Sequence, residues 1–289
     1  VTTGPVGLAG YVGPAPQGGG GSQAYADVVD YFDRVDSAGG SFDQTAVNSD
    51  YTETRVKSAI LTFALACEID GIWDKLTEAY LLAGVTWDGV LQKLKHVSTA
   101  GLTNNNFVTG DYNGAGSSAG LLGNASTKYL GTSVNDNTLS ADDKSFGAYQ
   151  TAAGTNSFGT LIGIRTASQY WGIVAGLTTS DINGIIPSAS ANIAVSSQNT
   201  PGCLIASRRG VNDAELYKDG ASIGTDTSTP AATNADGDWE LFRRGSSFVI
   251  LSNARLTFAF LGVGMSDSDS ANLSSHINYL MSAIGANAY

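Results

Sequence analysis

The sequence predicts a mainly β protein: an antiparallel two-sheet β-sandwich, preceded by a helical N-terminal subdomain and closed by a C-terminal amphipathic helix. Three observations carry that expectation. Residues 213–224 (DAELYKDGASIG) read as a β-hairpin, because Asp219-Gly220 between two strand-like runs supplies the positive φ of a tight turn. The apolar period changes near Leu94 from helical spacing to short runs of branched and aromatic residues separated by Gly, Asn, Asp and Ser. Residues 266–285 hold one apolar stripe between a capping serine and a glycine stop.

Residues 1–23 stand apart. Gly4, Gly7, Gly10 and Gly13 recur every third position with Pro5 and Pro14 between them, the collagen pattern in which only glycine fits at the axis of three wound chains. Pro16 breaks the register, and Gly18 to Ser22 has the composition of a flexible linker. Four triplets are too few to hold alone, so two readings stand: the end of a trimeric stalk, or a chance Gly/Pro-rich tail.

Residues 24–98 read as a helical subdomain. Tyr25, Val28, Val29, Phe32 and Val35 recur at helical spacing before Gly39-Gly40. A second helical region is expected from about Thr52 to Gly84. Its first stripe is Val56, Ile60, Phe63 and Cys67, continued after Gly71 by Ile72, Trp73, Leu76, Tyr80 and Ala83. Residues 86–91 are expected as a short helix or a turn.

Residues 99–289 are expected to form the sandwich and its terminal helix. Candidate strands are 128–132, 145–151, 160–165, 172–175, 203–208, 215–218, 239–243, 248–251 and 256–263. In the last helix Ser266 or Asp267 caps the start, Leu273, Ile277, Leu280, Met281 and Ile284 form the stripe, and Gly285 stops it.

Composition narrows function. The 289 residues are 42% hydrophobic and only 14% charged, which argues against wholesale disorder. A net charge of −11 opposes electrostatic nucleic-acid binding. No apolar run approaches the roughly 20 residues that span a bilayer, so membrane insertion is not expected. The N-terminus shows no basic-then-apolar signal, as a processed chain also would not. Cys67 and Cys203 are too few and too far apart for a disulfide framework and are expected as small buried hydrophobes. His96 and His276 are isolated, so no zinc cluster and no cofactor is expected.

The wording of the hairpin, Tyr217-x-Asp219-Gly220 followed by a small-residue return strand, resembles that of laminin-G-like and concanavalin A-like sandwiches. Three longer stretches, CEIDGIWDKLTEAYLLAGVTWDGVLQKLK from Cys67, TNNNFVTGDYNGAGSSAGLLGNASTKYL from Thr103 and ARLTFAFLGVGMSDSDSANLSSHINYLMSAIG from Ala254, together resemble a family of bacteriophage virion proteins, tail-associated or minor structural components. The likeness runs over most of residues 24–285 and contains no catalytic motif. It implies a virion protein with a laminin-G-like sandwich, displayed on a tail fibre or other appendage; the Gly-x-y lead adds the expectation of a homotrimer. Its implied partners are other virion proteins and a host-surface polysaccharide; a capsid or tube decoration protein without a receptor is the alternative.

Enzymatic chemistry is not expected. Glu68-Ile69-Asp70 begins like the acidic strand motif of laminarinase-like hydrolases, but Gly71, Ile72 and Trp73 stand where the second glutamate belongs. In a helix the two acids would also point about 200° apart, so solvated carboxylates are the simpler reading. A polysaccharide depolymerase would need an acidic pair elsewhere. Asp111, Asn113, Asp136, Asp142 and Asp143 offer hard oxygen ligands for calcium, yet their spacing fits no known loop and turn formation explains them better. The binding candidates are Arg165, Gln169, Tyr170 and Trp171. One ring of the adjacent pair should face outward and stack on a sugar; alternatively Trp171 fills the core and Tyr170 roofs it. Trp239 reads as a core residue. Arg208-Arg209 and Arg243-Arg244 read as edge charges that deter strand pairing.

Overall fold

The computed structural model describes residues 22–97, 101–166, 169–175, 181–185, 192–228, 231–245 and 251–287. Gly4, Gly7, Gly10 and Gly13, and the strand expected at 248–251 except for Leu251, lie outside the described residues. Among the described residues three α-helices, α1 (Gln23–Ser37), α2 (Glu53–Ile69) and α3 (Asp267–Ala283), accompany fifteen strands. In chain order the strands are β1 (Leu76–Leu81), β2 (Thr103–Asn105), β3 (Tyr112–Asn113), β4 (Gly120–Leu122), β5 (Tyr129–Asn135), β6 (Lys144–Ala152), β7 (Thr160–Arg165) and β8 (Tyr170–Ala175). They continue as β9 (Ile182–Ile185), β10 (Asn192–Val195), β11 (Gly202–Gly210), β12 (Asp213–Lys218), β13 (Ala221–Asp226), β14 (Asp238–Leu241) and β15 (Arg255–Gly262).

The strands make two antiparallel sheets. One runs β13-β12-β11-β6-β15-β4-β3, with β1 also on β15; the other runs β10-β9-β8-β7-β14-β5-β2. Phe146 and Ala148 of β6 share a face with Ala206 and Leu204 of β11. That face meets the second sheet, where Phe146 lies 4.9 Å from Trp239 and 6.4 Å from Trp171. The opposite face of this sheet meets helices: Phe258 of β15 stacks edge-on to Phe63 of α2 at 5.5 Å, and Tyr149 of β6 reaches Asn278 of α3. The middle of the eight-stranded sheet is therefore buried on both sides, and β6 is buried at eight of its nine positions. The order is helices, sheet, sheet.

The hairpin forms as its residues dictate. Asp219 and Gly220 have φ of 51° and 84°, the paired positive angles of a tight turn between β12 and β13. Helix α3 also ends where expected: Ile284 follows Ala283, and Gly285 takes φ of 72° with no room for a β-carbon beside Tyr51.

Two helical expectations are corrected. Helix α2 stops at Ile69, Gly71 turns left-handed at φ of 69°, and after a 3-10 turn at Trp73–Lys75 the chain enters β1 against β15. Leu76 and Tyr80 mimic helical spacing because β1 is buried at five of its six positions, so apolar residues fall on both of its faces. Around residues 86–91 the chain makes a turn, one of the two forms expected there. In α1 the buried stripe is Ala24, Val28, Tyr31 and Val35; Tyr25 and Val29 face outward.

Glu68 is likewise no solvated carboxylate. It accepts hydrogen bonds from the Ser22 hydroxyl and the Ala24 amide, fastening the start of α1 to the end of α2, while Asp70 pairs with His276 of α3 at 2.8 Å.

The start of α3 is locked by a reciprocal cap. Asp269 N donates to Ser266 Oγ, and Ser266 N donates to Asp269 Oδ2 at 2.8 Å. Lys75 Nζ also reaches Asp269, at 2.5 Å. Burial pushes the Asp269 carboxyl up, but Lys75 and Ser266 together hold it below the ordinary aspartate value. The contribution is thus complete above the unfolded value near 3.9 and is lost as pH falls through the lower folded one. Ser266→Ala is expected to lower stability by about 1 kcal/mol at neutral pH. Its difference from wild type should shrink below about pH 4, as urea unfolding across pH will read; a pH-independent difference would contradict the lock.

Candidate functional site

The outer face of the seven-stranded sheet lies opposite the helices. Alternation along paired β7 and β8 turns Ile164, Trp171 and Ile173 inward and Arg165, Gly163, Tyr170 and Gly172 outward. Gly163 is paired with Glu240 of β14, and Glu240 with Gly131 of β5, so Gly131, Glu240, Gly163 and Gly172 form a row across four strands. Tyr129 flanks this row on one side and Tyr170 on the other.

Both tyrosines carry arginines. The Arg243 guanidinium lies 3.4 Å from the Tyr129 ring centre, and that of Arg244 lies 4.4 Å from the Tyr170 ring centre, with Arg165 at 5.7 Å. Both arginines reach this face because Phe242 adopts φ of 67°, a strained angle for a bulky residue. That twist drops the Phe242 ring into the core against Phe107 at 5.1 Å. Gly245, at φ of 64°, then passes so close to the Arg165 carbonyl that a β-carbon would collide with it. Glu240 accepts from both Nε and Nη2 of Arg243 and from the Gly245 amide at 2.7 Å. Burial pushes the Tyr170 phenol up to about 12, against the opposing pull of the Arg244 charge. Desolvation, then the neighbouring Arg244 charge, holds Arg165 below its ordinary value.

Of the four candidate residues, Arg165 and Tyr170 gather here and Trp171 faces the other way. Trp171 is fully buried in the inter-sheet core under the Lys144 ammonium, 3.9 Å from its ring centre. Tyr170 is half-buried and arginine-flanked rather than a bare sugar-stacking platform. The Gln169 carbonyl accepts from Thr166 N at 2.8 Å. Tyr129, Glu240, Arg243 and Arg244 escape a sequence reading as a group, although alternation about a core Trp239 could have placed Glu240 outward.

The arginine pairs are not edge charges. Strand β11 lies between β12 and β6; Arg208 is fully buried against Asp142 at 2.6 Å, and Arg209 binds Asp213, Glu215 and Asp267. The loop carboxylates have structural partners: Asp111 takes Lys128, Asp143 takes the Gly264 amide, and Asp136 forms a buried pair with Lys144. Among the described residues no group of three or more metal-binding side chains comes together. Cys67 and Cys203 are free and buried. A cleft of about 340 Å³ lies between α1 and residues 94–96, but its charges neutralise one another: Asp30 pairs with Arg34 at 2.8 Å and faces His96 at 3.6 Å.

No protein-family model matches the sequence, and no curated protein does. Solved structures match by shape. The receptor binding domain of botulinum neurotoxin C/D mosaic serotype superposes with a TM-score of 0.51 at 13% identity, over 70% of this chain and 51% of that one. The receptor binding domain of botulinum neurotoxin D gives 0.50 at 13% identity, over 70% and 52%. Domain 4 of a GH43 extracellular arabinanase from Geobacillus stearothermophilus, in complex with arabinotriose, gives 0.45 at 13%, over 69% and 98%. This chain thus spans about half the length of the toxin domains. Likeness at this identity defines a class, the antiparallel β-sandwich, and no narrower family.

Proposed function

We propose that the chain is a non-enzymatic virion structural protein of a bacteriophage, carried as a homotrimer on a tail fibre or similar appendage. Its sandwich meets other virion proteins and a host-surface glycan through the outer face of the seven-stranded sheet. One observation carries the binding part: the helices cover the far sheet, while the opposite face gathers two arginine–tyrosine stacks around Glu240. Aromatic rings and arginines held by a rigid sheet suit recognition of a polar ligand with apolar faces. Two of the structures of similar fold are receptor binding domains by name, which supports a surface-binding reading. The virion and trimer parts rest on the sequence resemblance and the Gly-x-y lead.

Two measurements test the proposal. The solution mass of the full chain should be that of a trimer; comparison with a chain starting at Gly21, which keeps the Ser22 cap, separates the lead's share from that of the folded part. A panel of neutral and acidic glycans should bind the wild type and lose about tenfold or more with Tyr170→Ala. Monomers in both chains remove the fibre model. A trimer that binds no glycan leaves the decoration reading.

A further inference from the structure

We infer that Arg244, with Arg165 beside it at the Tyr170 edge, forms an anion site that recognises a single carboxylate on an otherwise neutral glycan. The inference rests on the glycan reading above and specifies its ligand. Its basis is a charge imbalance. Five cationic residues are buried among the described residues: Lys93, Lys144, Arg208, Lys218 and Arg244. Four face carboxylates of the chain: Lys93 faces Glu78 at 2.9 Å, Lys144 faces Asp136 at 2.5 Å, Arg208 faces Asp142 at 2.6 Å and Lys218 faces Asp219 at 3.6 Å.

Arg244 is the exception. It is 5% exposed, its Nε has no hydrogen-bond acceptor among the described residues, and no carboxylate there forms an ion pair with it. All 26 Asp and Glu residues of the chain fall within the described segments. Glu240, an acid of this face, is already held by Arg243 and the Gly245 amide. A buried cation without a counter-charge is costly, and a second arginine packed beside it adds repulsion. Other buried cations in this fold are neutralised from within; this one is left for a group from outside, entering past the half-exposed Arg165.

The rest of the chain selects which anion. With a net charge of −11, polyanions are repelled strongly at long range, whereas one carboxylate on a neutral sugar is repelled only weakly. A planar carboxylate fits the forked donors of a guanidinium, and the attached ring can lie along the exposed edge of Tyr170.

The test is calorimetric titration of the full chain with an aldobiouronate (one glucuronic acid on a neutral sugar), its carboxyl-reduced counterpart, and acetate alone. Wild type should bind the aldobiouronate roughly ten- to hundredfold more tightly than the reduced sugar. Arg244→Met and Arg165→Gln should each remove most of that preference, and Arg55→Gln, on the helical side, should leave it intact. The ligand-free Arg244→Met protein should melt no lower than wild type, because an uncompensated charge has been removed; a clear fall would show Arg244 to be a structural residue and overturn the inference. Equal binding of charged and reduced sugars overturns the inference while the glycan reading stands. Acetate binding as tightly as the aldobiouronate, or no binding of the aldobiouronate, overturns it as well. Loss of every glycan on the wider panel is the separate result that would remove the parent reading.

Discussion

Asp136→Ala is expected to destabilise the protein by about 3–5 kcal/mol, the range for removing one partner of a buried ion pair. Asp136 and Lys144 are both fully buried. The carboxylate also accepts the Trp239 indole N–H at 3.0 Å and the Ala235 amide at 2.7 Å. The substitution therefore strands an ammonium and two N–H groups in the inter-sheet core. Burial already holds the Lys144 ammonium below its ordinary value against the pull of Asp136, so the variant should let Lys144 titrate lower still. Its stability should then recover partly at alkaline pH, where a neutral Lys144 no longer needs a counter-charge. Replacing both residues, Asp136→Leu with Lys144→Met, should restore much of the loss, because hydrophobic substitution of a whole buried pair is often neutral. Guanidinium unfolding of the three variants reads all of this. A single-variant loss below about 1 kcal/mol would mean that the pair is reached by water.

Trp171→Ala is the second large effect, expected at about 3–5 kcal/mol, as for other large-to-small changes at buried aromatics. The indole is fully enclosed, edge-on to Phe146 with an interplanar angle of 89° and roofed by Lys144. The loss should appear in stability and not as a selective loss of ligand affinity. Tyr170→Ala should behave the opposite way, with a smaller stability cost and a larger effect on glycan binding, because Tyr170 lies half-buried on the outer face. Thermal unfolding paired with the glycan panel separates the two neighbours. If Trp171→Ala left stability intact and abolished binding, the inward placement of its ring would be wrong.

These variants bear on how far the sandwich could be read in advance. Strand β7 forms at the expected residues, Thr160–Arg165, because alternating Ile162 and Ile164 have turn residues on either side. Strands β6 and β11 extend slightly beyond their expected ends, and β15 is shifted by one residue toward the N-terminus. Short strands such as β2, β3 and β4 escaped detection, since two or three residues carry too little alternation to stand out from loops. Strand β1 was misread for a different reason. Its apolar residues satisfy β15 on one edge and packing on both faces, and a run enclosed on both faces has no period to betray it. At the candidate site the sequence pointed to Arg165 and Tyr170, but Arg244 looked like half of an edge pair. Nothing near it in the chain signals that Phe242 will turn left-handed and carry it over Tyr170.

By itself the sequence determined the features whose causes are local. The Asp219-Gly220 turn, the Ser266 cap, the Gly285 stop and the stripe of α2 each depend on residues within a few positions of one another. Tertiary structure alone decided which strands are neighbours, which side of α1 is buried, and which cations find a carboxylate. Arg208 and Asp142, 66 residues apart, meet only when β11 lies against β6, and Arg244 is left without such a partner by the same folding. Ion pairing in a low-dielectric interior depends on separations of a few ångströms, and those are set by sheet register rather than by position along the chain.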